Sequence, residues 1–159
     1  MRQQRSNALL SLTLALAACA PHHGNAEAEA REAANGVVAA YNRGDAHAAA
    51  AYDAPDYVGV YHGTPNTVGP AADEAGMKAQ MASAKVQWQL GKDQATVSKG
   101  GDLAVFEAPY TFIIDIPGTP ETRETGTWIA IFKRQADGSM KLFRSIASDS
   151  GAPASAKRG

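Results

Sequence analysis

The chain has 159 residues, and 15 Lys and Arg against 16 Asp and Glu give it a net charge of −1. This balance, with no run of basic residues, argues against a nucleic acid as partner, because nucleic-acid-binding domains concentrate positive charge. The single cysteine excludes an internal disulfide. The length predicts one domain that is stabilised by its apolar core alone.

The N-terminal segment is typical of an export signal. Two arginines precede an apolar stretch, residues 8–18, which is shorter than the about 20 residues that a membrane-spanning helix needs. Residues 16–19 read LAAC, which resembles a bacterial lipobox, in which the cysteine is acylated and becomes the new N-terminus. We therefore expect residues 1–18 to be a lipoprotein signal peptide and Cys19 to be lipidated. The alternative is an ordinary signal peptide with an incidental cysteine.

The remaining chain divides into three parts. We predict a lipidated tether at residues 19–26, one domain at residues 27–150 and a disordered tail at residues 151–159. Position 20 is alanine rather than aspartate, which by resemblance to enterobacterial sorting signals favours the outer membrane, facing the periplasm. The adjacent histidines of the tether point in different directions, which favours a solvated linker over a metal site.

Helical patterns come first in the domain. Residues 27–43 place apolar side chains at helical spacing on one face, and Gly44 predicts the end of that helix. Asp45 is a suitable N-cap for a second, short helix at residues 46–52. A short strand is predicted at residues 57–61, and a third helix at residues 70–84.

From Val86 onward the apolar pattern has a period of two, which indicates β-strands. Glycine, proline and aspartate at each junction predict antiparallel hairpins. Helices followed by such a sheet indicate an α+β fold, with the helices packed on one face of the sheet. The strands are predicted at residues 86–98, 102–116, 123–134 and 140–149.

The order of these elements resembles the nuclear transport factor 2-like superfamily, and within it the SnoaL-like and ketosteroid-isomerase-like branches. The similar segments are residues 40–45 (AYNRGD), 100–104 (GGDLA), 132–141 (FKRQADGSMK) and 146–149 (IASD). The resemblance implies a cone-shaped fold, in which three N-terminal helices pack on a curved antiparallel sheet and enclose a pocket. It does not imply one activity, because function varies widely on a shared fold.

The isomerase chemistry itself is not expected. Ketosteroid isomerases use an Asp base with an oxyanion hole made of a Tyr and a protonated Asp, a worked case of pKa tuning. The resemblance places the oxyanion Tyr on Val37, the base on Tyr61 and the oxyanion Asp on Ala130. Two of these side chains cannot donate a hydrogen bond, and a tyrosine is a poor base at neutral pH. A shift of one residue would bring His62 to the base position and leave both donors missing.

Strand alternation predicts which side chains face into the cone. In residues 102–116 the apolar parity includes Phe106 and Tyr110, and this face should point inward. The register implied by the resemblance places Trp128 on the inner face. In the last strand it places Phe143, Ser145, Ala147 and Asp149 on the inner face and Arg144 on the outer face. The predicted ligand-binding residues are Val37, Tyr41, Tyr61, Tyr110, Phe112, Trp128, Phe143, Ser145 and Asp149. The alternative for each residue alone is that it fills an apolar core.

Other chemistries lack support in the sequence. The four histidines and one cysteine do not have the spacing of a zinc site, and no nucleotide-binding or nucleophile-elbow motif occurs. We therefore predict no metal and no cofactor. Asp53 and Asp56 flank Pro55, and we predict a loop in which both carboxylates are solvated or act as caps.

Three functions remain open. The first is a lipid-anchored envelope domain that binds a small, largely apolar molecule. The second is a SnoaL-like enzyme, a cyclase, dehydratase or isomerase, with Tyr61, His62 or Asp149 as acid or base. The third is an assembly module, in which outward apolar residues such as Ile129 and Ile131 pair with a second copy of the chain, as a homodimer, or with another envelope protein. The first and third functions are compatible.

Overall fold

The computed structural model describes residues 25–150. The predicted signal peptide, the lipidation site Cys19 and the tail at residues 151–159 lie outside the described residues. Helix α1, Ala26–Asn42, begins where the side chain of Asn25 accepts a hydrogen bond from the amide of Ala28, a typical N-cap. It ends before Gly44, whose positive φ of 76° reverses the chain. Residue 26, which the sequence assigned to the tether, already belongs to this helix.

Two further helices follow. Helix α2, Ala46–Ala50, is capped by the carboxylate of Asp45 as predicted, and it is shorter than predicted. Helix α3, Pro70–Ser83, starts with a proline, which is favourable at the first helical position. None of the described residues of α3 is fully buried, because α3 lies over a cavity rather than on a packed core. No helix within residues 25–150 is long and apolar enough to cross a membrane.

The described strands are β1 Asp53–Tyr61, β2 Thr67–Val68, β3 Lys85–Leu90, β4 Gln94–Val97, β5 Leu103–Asp115, β6 Thr122–Arg134 and β7 Met140–Asp149. They form one sheet, ordered β2-β1-β7-β6-β5-β3, with β4 also paired to β5. The hairpins β5–β6 and β6–β7 are antiparallel as predicted. Strand β1 instead joins β7 in parallel, because α3 and the strands after it separate the two in the chain.

The predicted strand at residues 86–98 is two strands, β3 and β4. Both pair with β5, one on each side of Pro109. A proline has no amide hydrogen to donate to a neighbouring strand, so the ladder is interrupted there. The chain crosses this point at Gly91, whose amide donates to the carbonyl of Pro109 at 2.8 Å.

The position of Asp53 differs from the prediction of a loop. The residue lies in β1 rather than in a loop, and only 7% of its surface is exposed. Its neighbour Asp56 is exposed as predicted and forms an ion pair with Lys133. The strand starts four residues earlier than the sequence suggested, because Asp53 pairs with Leu142 of β7.

The core lies between α1 and the concave face of the sheet. The alternation predicted for β5 and β6 is confirmed where the two strands pair: Phe106 and Trp128 are each 1% exposed, and Ala130 is fully buried. Towards the far end of β5 the inward face is only partly covered, and Phe112 is half-buried. The sheet and the helices therefore fill one end of the cone and leave the other open.

Phe143 does not face inward, contrary to the prediction. A β-bulge shifts the register between β6 and β7, so that Ile131 pairs with Arg144 and Phe132 pairs with Leu142. The extra residue, Phe143, is turned to the outer face. Its ring lies 3.5 Å from the guanidinium of Arg144.

Candidate functional site

A cavity of about 490 Å³ occupies the open end of the cone. Strands β1, β3, β5, β6 and β7 form its walls, and α1 and α3 cover it. Eight of the nine predicted ligand-binding residues line it: Val37, Tyr41, Tyr61, Tyr110, Phe112, Trp128, Ser145 and Asp149. The ninth, Phe143, lies on the outer face. That the eight contact a ligand stays a prediction.

One wall of the cavity is a continuous aromatic surface. Trp88 lies at its centre, with ring centroids 4.7 Å from Trp128, 5.3 Å from Phe112 and 5.8 Å from Tyr41. Tyr110 extends this surface, 5.0 Å from Phe112. Trp88 is not among the predicted ligand-binding residues, although the alternation of residues 85–90 (KVQWQL) places it on the apolar face of β3.

Two tyrosine hydroxyls meet on β1. Tyr57 and Tyr61 are four residues apart and therefore on the same face of the strand, and their hydroxyl oxygens lie 2.8 Å apart. Gly59 lies between them, and a Cβ there would come within 2.8 Å of both side chains. The two rings can therefore converge only because this position is a glycine.

A hydrogen-bonded chain runs through this pair. The hydroxyl of Tyr57 donates to Asp73 of α3 at 3.1 Å, and the hydroxyl of Tyr61 lies 3.4 Å from that of Ser145. Ser145 in turn accepts from the indole nitrogen of Trp128 at 2.9 Å. Burial raises the pKa of Tyr57 and of Tyr61, so both are neutral at physiological pH and act as hydrogen-bond donors rather than bases.

Two carboxyl groups, the half-buried Asp73 and the buried Asp53, lie near this chain. Burial raises the pKa of Asp73, and the hydrogen bond from Tyr57 partly opposes the shift. Burial and the charge of Asp73 raise the pKa of Asp53 to about 8, against the effect of Lys141. One oxygen of Asp53 is buried and has no hydrogen-bond partner among the described residues. Asp53 is therefore mostly protonated at neutral pH.

The mouth of the cavity carries a second polar group. The hydroxyl of Tyr110 lies 2.7 Å from Glu124 and 2.9 Å from Asp149. The other carboxylate oxygen of Asp149 is 3.5 Å from His62, whose side chain is 83% exposed. Burial and the two carboxylates raise the pKa of Tyr110. Tyr41, which lies beside Trp88 on the aromatic wall, donates from its hydroxyl to Gln80 of α3 at 2.6 Å.

The positions that correspond to the isomerase catalytic residues are arranged differently. Val37 forms part of the apolar wall, and Ala130 is buried opposite Ser145. Tyr61 is the only polar side chain of the three. Within residues 25–150 no three potential metal ligands converge.

The sequence did not single out four residues of this site: Tyr57, Asp73, Trp88 and Glu124. Asp73 and Glu124 look like ordinary surface carboxylates in the sequence, since α3 carries other charges and Glu124 lies near a hairpin end. Tyr57 could have been found, because its spacing from Tyr61 places the two on one strand face.

Comparisons with known proteins agree on the fold. A family model described as SnoaL-like domain matches residues 30–148. No curated protein sequence is significantly similar to the chain.

Solved structures carry three different activity names. A candidate aromatic ring hydroxylase from Novosphingobium aromaticivorans is 16% identical with a TM-score of 0.73, over 82% of this chain and 92% of its own. A candidate NTF2-like dehydratase from Streptomyces avermitilis is 20% identical with a TM-score of 0.69, over 80% and 98%. A ketosteroid isomerase-like protein from Erwinia carotovora is 19% identical with a TM-score of 0.68, over 79% and 97%. At these identities the likeness shows the fold alone.

Proposed function

This chain belongs to the SnoaL-like domain family. Because a shared fold does not determine the ligand, we propose a function that is argued from the residues of the cavity. The cavity binds a small, largely apolar molecule with at least one polar group. The observation that carries the proposal is the aromatic wall of the 490 Å³ cavity, together with the hydroxyl pair of Tyr57 and Tyr61. Apolar cavities of this size with few convergent polar groups are typical of small-molecule sites.

The shape of the wall supports a ligand rather than a filled core. Ala147 is small, and it faces the cavity between Trp128 and Tyr61, its register partners on the two neighbouring strands. Met77 and Gln80 of α3 lie across the cavity without being fully buried. A ligand between the sheet and α3 would remove this apolar surface from water, at about 25 cal/mol per Å² before the costs of association.

Calorimetry with a neutral probe tests the proposal. Naphthalenemethanol offers an aromatic body and one hydroxyl, and we expect it to bind wild-type protein with an affinity on the order of micromolar. Ala147→Leu adds a branched side chain inside the cavity and should abolish binding. Val60→Leu is the matched control, because Val60 is on the outer face of β1 and 37% exposed.

The outcomes separate clearly once circular dichroism has shown that both variants are folded. Loss of binding in Ala147→Leu alone supports the cavity as the site. Equal binding by wild type and Ala147→Leu would place the probe elsewhere and refute the proposal.

A second candidate function is acid–base catalysis, favoured by the chain that links Asp73, Tyr57 and Tyr61. A carboxyl group whose pKa is raised by burial is a stronger base than an ordinary one, and Asp73 lines the cavity and accepts a hydrogen bond from Tyr57. Such a group suits the dehydration of a β-hydroxy ketone. In that reaction a base removes the proton from the α-carbon, the carbon–oxygen bond at the β-carbon breaks, and the leaving oxygen takes a proton to form water.

A dehydration assay tests this candidate. The aldol adduct of benzaldehyde and acetone loses water to give benzalacetone, whose absorbance reports the rate. We expect Asp73→Asn to abolish any catalysed rate, with Asp93→Asn, outside the cavity, as control. A wild-type rate equal to that of buffer would remove this candidate and leave ligand binding. Isomerisation of a ketosteroid is not expected, because Val37 and Ala130 donate no hydrogen bond.

We also propose that the domain is anchored in the cell envelope through lipid on Cys19. The proposal is supported by the residue order at 8–19 and by the single cysteine. Outer-membrane attachment facing the periplasm is part of it, since position 20 is alanine.

We further propose a homodimer formed through the outer sheet face. Val105 and Ile131 are cross-strand partners on that face, and Ile129 lies two residues away on the same strand. Val105 is 38% exposed. Apolar residues that adjoin in this way are typical of interfaces.

A further inference from the structure

The cavity has an uneven charge. The titratable side chains among its described lining residues include three carboxyl groups, Asp73, Glu124 and Asp149, and one histidine, His62, with no lysine or arginine. Lys133 and Arg144 lie on the outer face of the sheet, beside Phe143. An anionic ligand would therefore enter a partly desolvated site of its own sign without a counter-charge.

Two carboxylates share one donor at the mouth. Tyr110 has one hydroxyl proton, and its oxygen is within hydrogen-bond distance of both Glu124 and Asp149. The proton can be donated to only one carboxylate at a time. An ammonium group has three N–H donors, so it can bridge both carboxylates and offset their negative charge.

The aromatic wall is an independent feature that favours the same ligand charge. From the mouth inward, the ring of Tyr110 lies 5.0 Å from Phe112, and Phe112 lies 5.3 Å from Trp88. Aromatic faces attract cations through their quadrupole, and they offer an apolar surface to a hydrocarbon body. An organic amine presents both features to this wall.

We infer that the ligand of this cavity is an amphipathic amine, with its ammonium group between Glu124 and Asp149 and its apolar body along the aromatic wall. The inference rests on the proposed function, namely that the cavity binds a ligand. It specifies that the ligand is a cation and that its charged group lies at the mouth of the cavity. The hydroxyls of Tyr57 and Tyr61 remain available for a second polar group at the inner end.

Three probes with the same ring system separate charge from shape. Naphthylmethylamine is cationic at pH 7, naphthalenemethanol is neutral and naphthoate is anionic. We expect calorimetry on the full chain to show the amine binding about tenfold more tightly than the alcohol, the effect of one charge-assisted hydrogen bond. Naphthoate should bind more weakly than the alcohol.

Variants of the mouth locate the charge. Glu124→Gln and Asp149→Asn should each weaken binding of the amine several-fold and change binding of the alcohol much less, because the alcohol carries no charge. Glu107→Gln is the matched control, because Glu107 lies on the outer parity of β5, opposite to Phe106 and Tyr110. Added salt should weaken the amine and not the alcohol, because the mouth is partly exposed to solvent.

The results distinguish the inference from the proposed function on which it rests. Alcohol and amine of equal affinity, or tight binding of naphthoate, would overturn the amine inference while the proposed function stands. An amine preference that survives Glu124→Gln and Asp149→Asn would overturn it as well. Failure of all three probes to bind would refute both.

Discussion

The hydroxyl oxygens of Tyr57 and Tyr61 lie 2.8 Å apart, and the hydroxyl of Tyr57 donates to the half-buried carboxyl group of Asp73. This contact joins the sheet to α3 across the cavity. A polar chain inside an apolar site costs free energy unless each group is paired, and here the chain continues to Ser145 and Trp128. The same chain orients the hydroxyls that a ligand would meet.

The buried carboxyl of Asp53 predicts a pH dependence of stability. Its pKa is raised from 3.8 in the unfolded chain to about 8 in the folded one, so the folded state binds the proton more tightly. The stabilisation is complete below pH 3.8 and is lost as the pH rises towards 8. We expect Asp53→Asn to remove this loss, and to raise the free energy of unfolding at pH 9 by on the order of 3 kcal/mol relative to wild type, about half of the full shift.

Urea unfolding at several pH values measures this effect. Asp56→Asn is the control, since Asp56 is exposed and its ion pair with Lys133 lowers its pKa. Any effect of Asp56 has the opposite sign, a loss of stability at acidic pH. If Asp53→Asn and wild type show parallel profiles between pH 4 and pH 9, Asp53 does not carry the proton.

The β-bulge at Phe143 predicts a difference between two phenylalanines. Phe112 lines the cavity and Phe143 does not, so Phe112→Ala should weaken the binding of naphthalenemethanol about tenfold through lost apolar contact. Phe143→Ala should leave the affinity unchanged. Calorimetry on both variants checks this, and a larger loss in Phe143→Ala would show that the strand register is wrong.

Much of the fold could be predicted because the strands that form the core alternate regularly. Residues in β5 and β6 keep one parity throughout. Alternation therefore assigns Phe106 correctly, and the register implied by the resemblance assigns Trp128 correctly. The outward position of Phe143 could not be predicted, because the β-bulge reverses the inward and outward positions of the strand and the sequence pattern does not mark where the bulge lies. The contact of Tyr57 with Asp73 depends on where α3 crosses the sheet, which local pattern does not specify. Asp53 was placed in a loop because Pro55 suggested one, whereas pairing with β7 extends the strand.

The proposed dimer predicts that one substitution on the outer face acts twice, since a two-fold axis places each patch against itself. Ile131→Lys should give monomers in sedimentation velocity while wild type is a dimer. Val68→Lys, at an exposed position of the edge strand β2, which β1 and β7 separate from this patch, should leave the dimer intact. A monomeric wild type at high micromolar concentration would refute the interface.

The proposed anchor predicts where the protein fractionates. Each buried CH₂ of an acyl chain contributes about 0.8 kcal/mol, so several chains on Cys19 should hold the protein in the membrane. Wild type should partition into detergent, and Cys19→Ser should appear in the aqueous phase. Wild type found wholly in the aqueous periplasmic fraction would contradict lipidation.

The central claim is that the cone encloses a ligand site, and intermolecular nuclear Overhauser effects test it most directly. With naphthalenemethanol bound to protein that carries labelled methyl groups, we predict effects between the ring protons and the methyls of Ala147 and Val37, both of which line the cavity. Effects confined to Ile129 and Ile131 on the outer face, or to no methyl group, would contradict the claim.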